Sequence, residues 1–375
     1  MSTQIQLFGP ATFPELLSTE GIKYAGSKLR LIPEILKLAG RVNAKSVFDG
    51  FSGTTRVSQA FAQCGYDVVC NDHSAWSEVF GTCYLRGKSA KAYEALIEHL
   101  NSVEPKSGWF TKIYGGDPTK TGEPKRPWQI QNTRKLDGIR EEIDRLALDQ
   151  VDKCVALTSL ILALDRVDST LGHFASYLRE WSPRSYKTLQ LRVPSIVESK
   201  CNGSHSVHRS DIFDLVGDVE TDIAYYDPPY GSNNEKMPPS RVRYASYYHI
   251  WTTICLYDEP VLFGKVNRRR DTSDRLAVSP FEEFRTDSQG KFIAVEAIRK
   301  LLALTRSKYT ILSYSSGGRA TANELIDAIK ACGELMEVVE IDHKRNVMAG
   351  MKWTNEWLRD AEKPNREFLF LISKA

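Results

Sequence analysis

Short apolar runs alternate with amphipathic stretches near the start of the chain, a pattern typical of an α/β fold. The apolar run at residues 46–51 leads into a turn at 52–55, and the apolar spacing of residues 56–64 predicts a helix. Gly65 follows this helix, and residues 67–72 form a second run that ends in an acid. Strand, turn, helix and strand in this order predict a βαβ half-unit. Such a unit implies a parallel sheet with helices on both faces.

Three later apolar runs are expected to join the same sheet. They are residues 221–226, 309–314 and 367–373. The first of them comes immediately before Asp227, so its carboxyl end carries an acid beside two prolines. The predicted fold class is therefore α/β, with a Rossmann-like sheet covered by helices on both faces.

Between residues 75 and 200 the pattern is mainly helical. The predicted helices are residues 91–100, 134–148 and 152–164. A stretch rich in glycine, proline and lysine interrupts them at 105–127. The sequence thus predicts a sheet domain made of residues 1–75 and 201–375, and an inserted helical region at 76–200.

Composition adds few constraints. The chain has 375 residues and a formal net charge of +3, which neither requires a nucleic-acid partner nor excludes one. Its seven cysteines never form a C-x-x-C pair, which argues against a disulfide framework and against a zinc knuckle. The sequence contains no run of about 18 apolar residues that could cross a membrane. We expect a cytoplasmic protein with no membrane partner and no metal.

The tetrapeptide Asp227-Pro228-Pro229-Tyr230 suits the alkylation of an aromatic amine, whose lone pair is delocalised into its ring. The Asp227 carboxylate and the Pro228 carbonyl can accept hydrogen bonds from both amino hydrogens, which exposes that lone pair. Consecutive prolines stiffen the backbone, and Tyr230 can offer an aromatic face to a base. The alternative is a plain strand-ending turn with a tyrosine in the core. The preceding strand and the upstream βαβ unit favour the catalytic interpretation.

The first turn, Asp49 to Thr55, has the features of a cofactor site. Gly50 and Gly53 allow a ligand to approach the backbone, but the three glycines of a dinucleotide fingerprint are absent. The carboxylate of Asp49 disfavours a phosphate and favours a cationic ligand such as the ammonium group of a methionine moiety. Asp72, about 20 residues further on, can receive two ribose hydroxyls, although an N-cap of the next helix explains it nearly as well.

Taken together, these motifs resemble those of the D12 class of adenine-N6 DNA methyltransferases. The segment 23–28, Lys-Tyr-Ala-Gly-Ser-Lys, resembles the N-terminal motif of that family, residues 49–53 its first-strand turn, and residues 227–230 its catalytic motif. The stretch 244–265 is similar to the segment after the catalytic motif in the branch with FokI-type modification enzymes. The first-strand turn departs from the family, because Asp49-Gly50 stands where many relatives have Glu-Pro.

The resemblance implies S-adenosylmethionine as cofactor, with S-adenosylhomocysteine as its product, and assigns further residues to its site. Tyr24 and Lys28 are expected at the methionine end and Asp72 at the ribose. Asp211 is expected at the cofactor adenine, with Ile212 packing nearby. The complete set expected to bind the cofactor is Tyr24, Lys28, Asp49, Phe51, Gly53, Asp72, Asp211 and Ile212. For Asp211 the alternative is a loop or cap residue, and for Tyr24 and Lys28 it is a surface segment.

The same resemblance implies site-specific methylation of adenine N6 in double-stranded DNA, within a restriction-modification or related defence system. We expect the base to leave the duplex and its amine to attack the methyl group in line. A cognate restriction enzyme is a possible partner. Target recognition is assigned to region 76–200, with Trp109, Trp128, Arg134, Arg166, Arg179 and Trp181, although its aromatic residues could equally be core. Methylation of RNA or of cytosine N4, and a non-catalytic relative, are the alternatives.

Overall fold

The computed structural model describes residues 17–120, 126–198, 205–231, 243–273, 279–342 and 366–374. Its strands are β1 (Ser46–Asp49), β2 (Asp67–Asn71), β3 (Gly115–Gly116), β4 (Trp128–Gln129), β5 (Ser206–His208), β6 (Ile223–Tyr226), β7 (Leu262–Phe263), β8 (Arg268–Arg269), β9 (Tyr309–Ser315), β10 (Glu334–Asp342) and β11 (Arg366–Ser373). Its α-helices are α1 (Ile32–Ala39), α2 (Arg56–Gln63), α3 (Ala75–Arg86), α4 (Glu94–Ser102), α5 (Trp109–Tyr114), α6 (Ile130–Arg145), α7 (Gln150–Arg166), α8 (Ile212–Leu215), α9 (Tyr244–Tyr247), α10 (His249–Leu256), α11 (Ile293–Leu304) and α12 (Ala322–Lys330).

Seven strands form one sheet in the order β10-β11-β9-β6-β1-β2-β5. The strands from β9 to β5 pair in parallel, and β11 is antiparallel to both of its neighbours. The chain therefore moves outward from β1 to β2 and β5, returns to β6 on the other side of β1, and moves outward again to β9. This reversal leaves a crevice at the carboxyl ends of β1 and β6, where ligands bind in open parallel sheets.

Alternation along the strands sends side chains to two hydrophobic clusters, one on each face of the sheet. In β6, Ile223 and Tyr225 face one cluster, whereas Ala224 and Tyr226 face the other. Because both faces of the sheet are covered, these strands are apolar throughout and not only at every second position. The prediction of a mixed α/β fold with a mostly parallel sheet is confirmed, and the predicted strands at 46–51, 67–72, 221–226, 309–314 and 367–373 are all present with small shifts at their ends.

Two strands of the seven-stranded sheet were not predicted from the sequence. One is β5, which has only three residues, all partly exposed, and therefore shows no alternation. The other is β10 at the edge of the sheet, where a Glu recurs at every third position and exposed residues alternate with half-buried ones. Such an edge strand is less buried than the central strands, so its apolar pattern is weaker.

The helices of region 76–200 share one continuous core with a face of the sheet. Side chains from α3, α4, α6 and α7 belong to the same cluster as Val47 and Ile223. Trp128 is fully buried there and donates a hydrogen bond from Nε1 to the Leu164 carbonyl at 3.0 Å, so it is a core residue. Arg134, Arg166 and Arg179 are exposed. The domain boundaries and the recognition function of this region remain predictions.

Close packing at the first turn explains its glycine at position 50. A Cβ atom at Gly50 would lie 2.7 Å from Cε1 of Tyr226 and 3.0 Å from Cδ1 of Ile212. Neither neighbour can withdraw easily, because both side chains are buried in the core. The next glycine, Gly53, has a φ of +48°, a conformation that side chains with a Cβ rarely adopt.

Replacing Gly50 by alanine should therefore destabilise the fold. Overpacking of this kind costs roughly 1–3 kcal/mol, which urea denaturation followed by tryptophan fluorescence would measure. Gly217→Ala is the matched control, since a Cβ there meets nothing within 4 Å. Equal stabilities of the two variants would contradict this account of the turn.

Candidate active site

One cavity occupies the crevice at the carboxyl ends of β1 and β6, with a volume of about 320 Å³. Elements distant in sequence meet there: the N-terminal segment, the first turn, the end of β2, the start of α8 and the segment after β6. All of the site residues expected from the sequence line this cavity, namely Tyr24, Lys28, Asp49, Phe51, Gly53, Asp72, Asp211, Ile212, Asp227, Pro228, Pro229 and Tyr230. The structure brings them together, and their individual functions remain predictions.

Asp49 ends β1 as a fully buried carboxyl group. Its Oδ2 atom accepts a hydrogen bond from the Ser58 hydroxyl at 2.6 Å. In the described part of the chain its Oδ1 atom is buried without a full hydrogen bond, although the Phe51 amide stabilises the charge weakly. Burial raises the pKa of Asp49 to about 7, and hydrogen bonding by Ser58 opposes this rise. A cation bound in the cavity would favour the ionised form of this group.

The end of β2 fixes the shape of the first turn. The Asp72 carboxylate accepts a hydrogen bond from the Gly53 amide at 2.9 Å and another from the Ser74 amide at 2.8 Å, just before α3. Ser74, not Asp72, is the N-cap of α3, so the N-cap alternative for Asp72 is wrong, and Asp72 lines the cavity. The neighbouring Asn71 is buried, and its side chain contacts the Gly50 carbonyl at 3.3 Å. These bonds hold the turn against the end of the second strand.

An apolar wall closes the side of the cavity next to α8. The Phe51 ring meets Phe281 edge to face, with 5.2 Å between ring centroids. Ile212 is buried beside them, and Asp211 is exposed and caps α8 by accepting a hydrogen bond from the Phe213 amide at 2.9 Å. Asp211 is therefore a helix cap, which was the alternative to a cofactor contact, and it also lines the cavity. An apolar wall next to an exposed acid suits a flat ring with amino hydrogens.

Tyr24 lies in an aromatic cluster on the opposite side. Its ring lies 5.2 Å from that of Tyr244, 4.8 Å from that of Tyr248 and 5.8 Å from that of Trp76, measured between centroids. The Tyr248 hydroxyl accepts a hydrogen bond from the Ala25 amide at 2.7 Å. The alternative for Tyr24 was a surface segment, but in the structure the Tyr24 ring packs into the fold.

The catalytic motif and Lys28 form one buried cluster of charges. Lys28 Nζ lies 3.1 Å from Asp227 Oδ1 and 3.7 Å from Glu367 Oε1, and it stands 4.7 Å from the centre of the Tyr230 ring. The Tyr230 hydroxyl donates a hydrogen bond to Asp227 and lies 3.5 Å from Glu367 Oε2. Lys28 therefore contacts the catalytic motif directly, in addition to lining the cavity.

The pKa of Asp227 follows from this cluster. Burial raises it to about 6, while the nearby Lys28 ammonium lowers it and Glu367 raises it. Burial also raises the pKa of Glu367. One cation between two carboxyl groups thus favours ionisation of Asp227 at neutral pH, as required of a hydrogen-bond acceptor for an amine.

Some residues of this region were not identified as site residues from the sequence, among them Tyr244, Glu282 and Glu367. Tyr244 and Glu282 line the cavity, and Glu367 enters the charge cluster from β11. Tyr244 lies in the segment that resembles the family, which was a usable signal. Glu282 had none, because a single glutamate is indistinguishable from a solvated one, and Glu367 could be placed in a predicted strand but not beside Lys28, since that contact depends on the order of the strands in the sheet.

Several other expectations concern the surroundings of the site. The polar, proline-containing stretch 231–243, which the sequence predicts to be a loop beside the site, lies mostly outside the described residues. Within the described ranges, no group of three or more His, Cys, Asp or Glu side chains is placed to hold a metal ion. No helix in those ranges is long and apolar enough to cross a membrane.

Comparison with known protein families agrees with the motifs. The family model described as D12 class N6 adenine-specific DNA methyltransferase matches residues 24–276, which include the first turn and the catalytic motif. The family predicted from the motifs is confirmed, and so is the enzyme class that its description states. The sheet order and the ligand crevice are consistent with a methyltransferase fold.

Curated relatives carry names of the same kind. Modification methylase StsI of Streptococcus sanguinis is 27% identical over 327 residues, covering 82% of this chain and 46% of that protein. Type II methyltransferase M.NlaIII of Neisseria lactamica is 26% identical over 335 residues, covering 86% and 92%. Type II methyltransferase M.FokI of Planomicrobium okeanokoites is 24% identical over 371 residues, covering 94% and 53%. The chain thus spans about half the length of two of these relatives and most of the third.

The raised pKa of Asp49 predicts a pH-dependent effect of Asp49→Asn. A carboxyl group whose pKa is higher in the folded state stabilises the fold at low pH, and this stabilisation is lost as pH rises through about 7. The Asp49→Asn variant has no carboxyl group at this position, so it does not lose this stabilisation as pH rises. Without ligand, its stability relative to the original chain should therefore increase by roughly 1–3 kcal/mol between pH 5 and pH 8.

Thermal unfolding across this pH range would measure the effect. Asp218→Asn, at an exposed position beside α8, is the control and should show no such trend. A stability difference between Asp49→Asn and the original chain that stays constant with pH would refute the assignment of a buried, proton-binding Asp49.

Proposed function

Because this chain belongs to the family of D12 class N6 adenine-specific DNA methyltransferases, we propose that it transfers a methyl group from S-adenosylmethionine to N6 of adenine within a specific DNA sequence. The observation that carries this proposal is a single cavity that joins the cofactor-type turn after β1 to Asp227 and Tyr230 after β6. A methyl donor and an amine held in these two parts would meet inside one enclosed space.

The residues of the cavity fit S-adenosylmethionine. A cationic amino acid moiety suits the buried acid Asp49, whose Oδ1 atom lacks a full hydrogen bond. A ribose suits Asp72 at the end of β2, and an adenine ring suits the wall of Phe51 and Ile212 with the exposed acid Asp211. When bound, the cofactor would supply an electrophilic methyl group on a positively charged sulfur.

Asp227 activates the amine by an exchange of partners. In the structure its carboxylate is held by Lys28 and by the Tyr230 hydroxyl. An adenine amine that replaces the Tyr230 hydroxyl would donate one hydrogen to Asp227 and the other to the Pro228 carbonyl, which frees its lone pair. With its lone pair free, the amine nitrogen would be a nucleophile toward the bound methyl donor, and the proton that it must lose could pass to water.

The target adenine must leave the base stack for this chemistry, because N6 in a stacked base pair cannot reach the end of β6. We therefore propose base flipping into the cavity, with Tyr230 stacking on the base. Region 76–200 has exposed arginines at positions 134, 166 and 179, which suit contacts to phosphates or guanine edges. The names of the relatives support a function as the modification enzyme of a restriction-modification system, with a cognate restriction enzyme as partner.

Substituting Asp227 by asparagine tests the proposal directly. The amide presents a donor as well as an acceptor to the amine, so methyl transfer should fall by about 100-fold or more. Transfer is measured as tritium from labelled S-adenosylmethionine in unmethylated plasmid DNA, and mass spectrometry of the nucleosides identifies the product as N6-methyladenine.

Two controls make this result specific. Calorimetry should show unchanged cofactor affinity in Asp227→Asn, and the exposed substitution Asp218→Asn should retain full activity. Full methyl-transfer activity of Asp227→Asn would contradict the proposed function of Asp227. Methylated cytosine in place of methylated adenine, or methyl transfer to RNA alone, would overturn the proposed substrate.

Replacing Lys28 by methionine should shift the pH dependence of the reaction. Loss of the ammonium group raises the pKa of Asp227 further, because burial and Glu367 then act without an opposing cation. The acidic limb of kcat against pH should move to higher pH, with the strongest loss below pH 7. The control is Lys37→Met at an exposed position, which should not shift the dependence of kcat on pH. If the acidic limb does not shift in Lys28→Met, the proposed effect of Lys28 on the pKa of Asp227 is contradicted.

A further inference from the structure

Glu282 is a buried acid that lines the cavity. The residue is only 4% exposed, and its Oε1 atom has no hydrogen-bond partner in the described part of the chain. Nevertheless, the residue lines the same cavity as Asp227. A buried carboxyl oxygen without a hydrogen bond costs free energy. In a binding cavity, such a group indicates a ligand that forms the missing hydrogen bond.

The neighbours of Glu282 place it at the end of the cavity next to the catalytic motif. Its backbone packs against Gly231, the residue that follows Tyr230, where an added Cβ would lie 3.2 Å from the Glu282 carbonyl oxygen. Preceding it in sequence, Phe281 contacts Phe51 of the first turn. Glu282 therefore lies where the cofactor wall meets the catalytic tetrapeptide, and a base bound at Tyr230 would approach it.

We propose that Glu282 binds the target base by donating a hydrogen bond from its neutral carboxyl group to a ring nitrogen of the flipped adenine. This inference rests on the proposed function. The two amino hydrogens of the base are taken by Asp227 and the Pro228 carbonyl, so the remaining polar atoms of adenine are ring nitrogens, which only accept hydrogen bonds. A ring-nitrogen acceptor needs a donor, and a carboxylic acid provides one.

The surroundings of Glu282 keep its carboxyl group neutral over part of the physiological pH range. Burial raises its pKa to about 7, and Arg243 opposes this rise. The titratable groups that face it in the described part of the chain are Arg243 before α9 and Tyr244 within α9. Ionisation above pH 7 would remove the donor hydrogen and place a negative charge against the lone pair of the ring.

Two substitutions at this position separate the donor from the charge. Glu282→Gln keeps a donor and cannot ionise, so kcat/KM for DNA should remain within about threefold, and the decline of activity above pH 7 that stems from Glu282 should disappear. Glu282→Leu keeps the volume and removes the donor, so kcat/KM for DNA should fall about tenfold or more. In both variants the affinity for S-adenosylmethionine should stay within twofold.

A substrate analogue tests the bond itself. Once the methylated sequence is known from plasmid DNA treated with the original chain, duplexes are made with 1-deaza-, 3-deaza- or 7-deazaadenine at the target. The original chain should methylate one of these duplexes more slowly than the adenine duplex. Glu282→Leu, which already lacks the hydrogen bond, should methylate that duplex and the adenine duplex at similar rates. Glu283→Gln is the control, because the adjacent Glu283 pairs with Arg285 at 2.7 Å and does not line the cavity.

The outcomes distinguish this inference from the proposed function. If the original chain methylates adenine but Glu282→Leu has unchanged DNA kinetics, the inference fails alone. It also fails if Glu282→Leu weakens cofactor affinity and leaves DNA kinetics unchanged, which would assign Glu282 to the cofactor. If the original chain does not methylate adenine in DNA, the proposed function itself fails.

Discussion

The reversal of strand order between β1 and β6 is the constraint on which the rest of this molecule depends. Parallel strands on either side of the reversal send their following segments in opposite directions, so no connection covers the ends of the two central strands. The turn after β1 and the tetrapeptide after β6 therefore face one cavity. The close fit of Gly50 against Tyr226 and Ile212 shows how tightly the two halves are joined there.

The chemistry of the cavity follows from burial as much as from residue type. Asp49, Asp227, Glu282 and Glu367 are all removed from water, and burial raises the pKa of each. Asp227 and Glu367 both lie within 4 Å of the ammonium group of Lys28. The same kind of side chain can thus serve as an ionised acceptor beside Lys28 and as a neutral donor at Glu282. In the proposed mechanism, this difference in environment would separate amine activation by Asp227 from base binding by Glu282.

The charge cluster also links distant parts of the chain. Lys28 comes from the segment before α1, Asp227 follows β6, and Glu367 lies on the antiparallel strand β11. A buried ion pair is weak evidence for stability, since desolvation offsets much of the Coulomb attraction. Its effect here is on the ionisation of Asp227, because the Lys28 ammonium group lowers the pKa of that carboxyl group.

The sequence by itself determined the central strands, the first turn and the catalytic tetrapeptide, because each depends on neighbours within a few residues. Apolar runs buried on both faces give a strong local pattern, and Asp227-Pro228-Pro229-Tyr230 has its chemistry in four consecutive residues. The same local motifs predicted the family. Weakly patterned strands such as β5 and β10 were missed, since their burial is decided by the rest of the sheet.

Only the tertiary structure decided which isolated side chains belong to the site. Glu282 and Glu367 are ordinary glutamates in the sequence, and although Glu367 begins a predicted strand, nothing near either residue indicates a contact with the site. Trp128, considered for DNA recognition, is a core residue because the helices of region 76–200 pack onto the sheet. Burial and long-range contact depend on the whole chain, so residues whose function arises from them cannot be identified from local sequence.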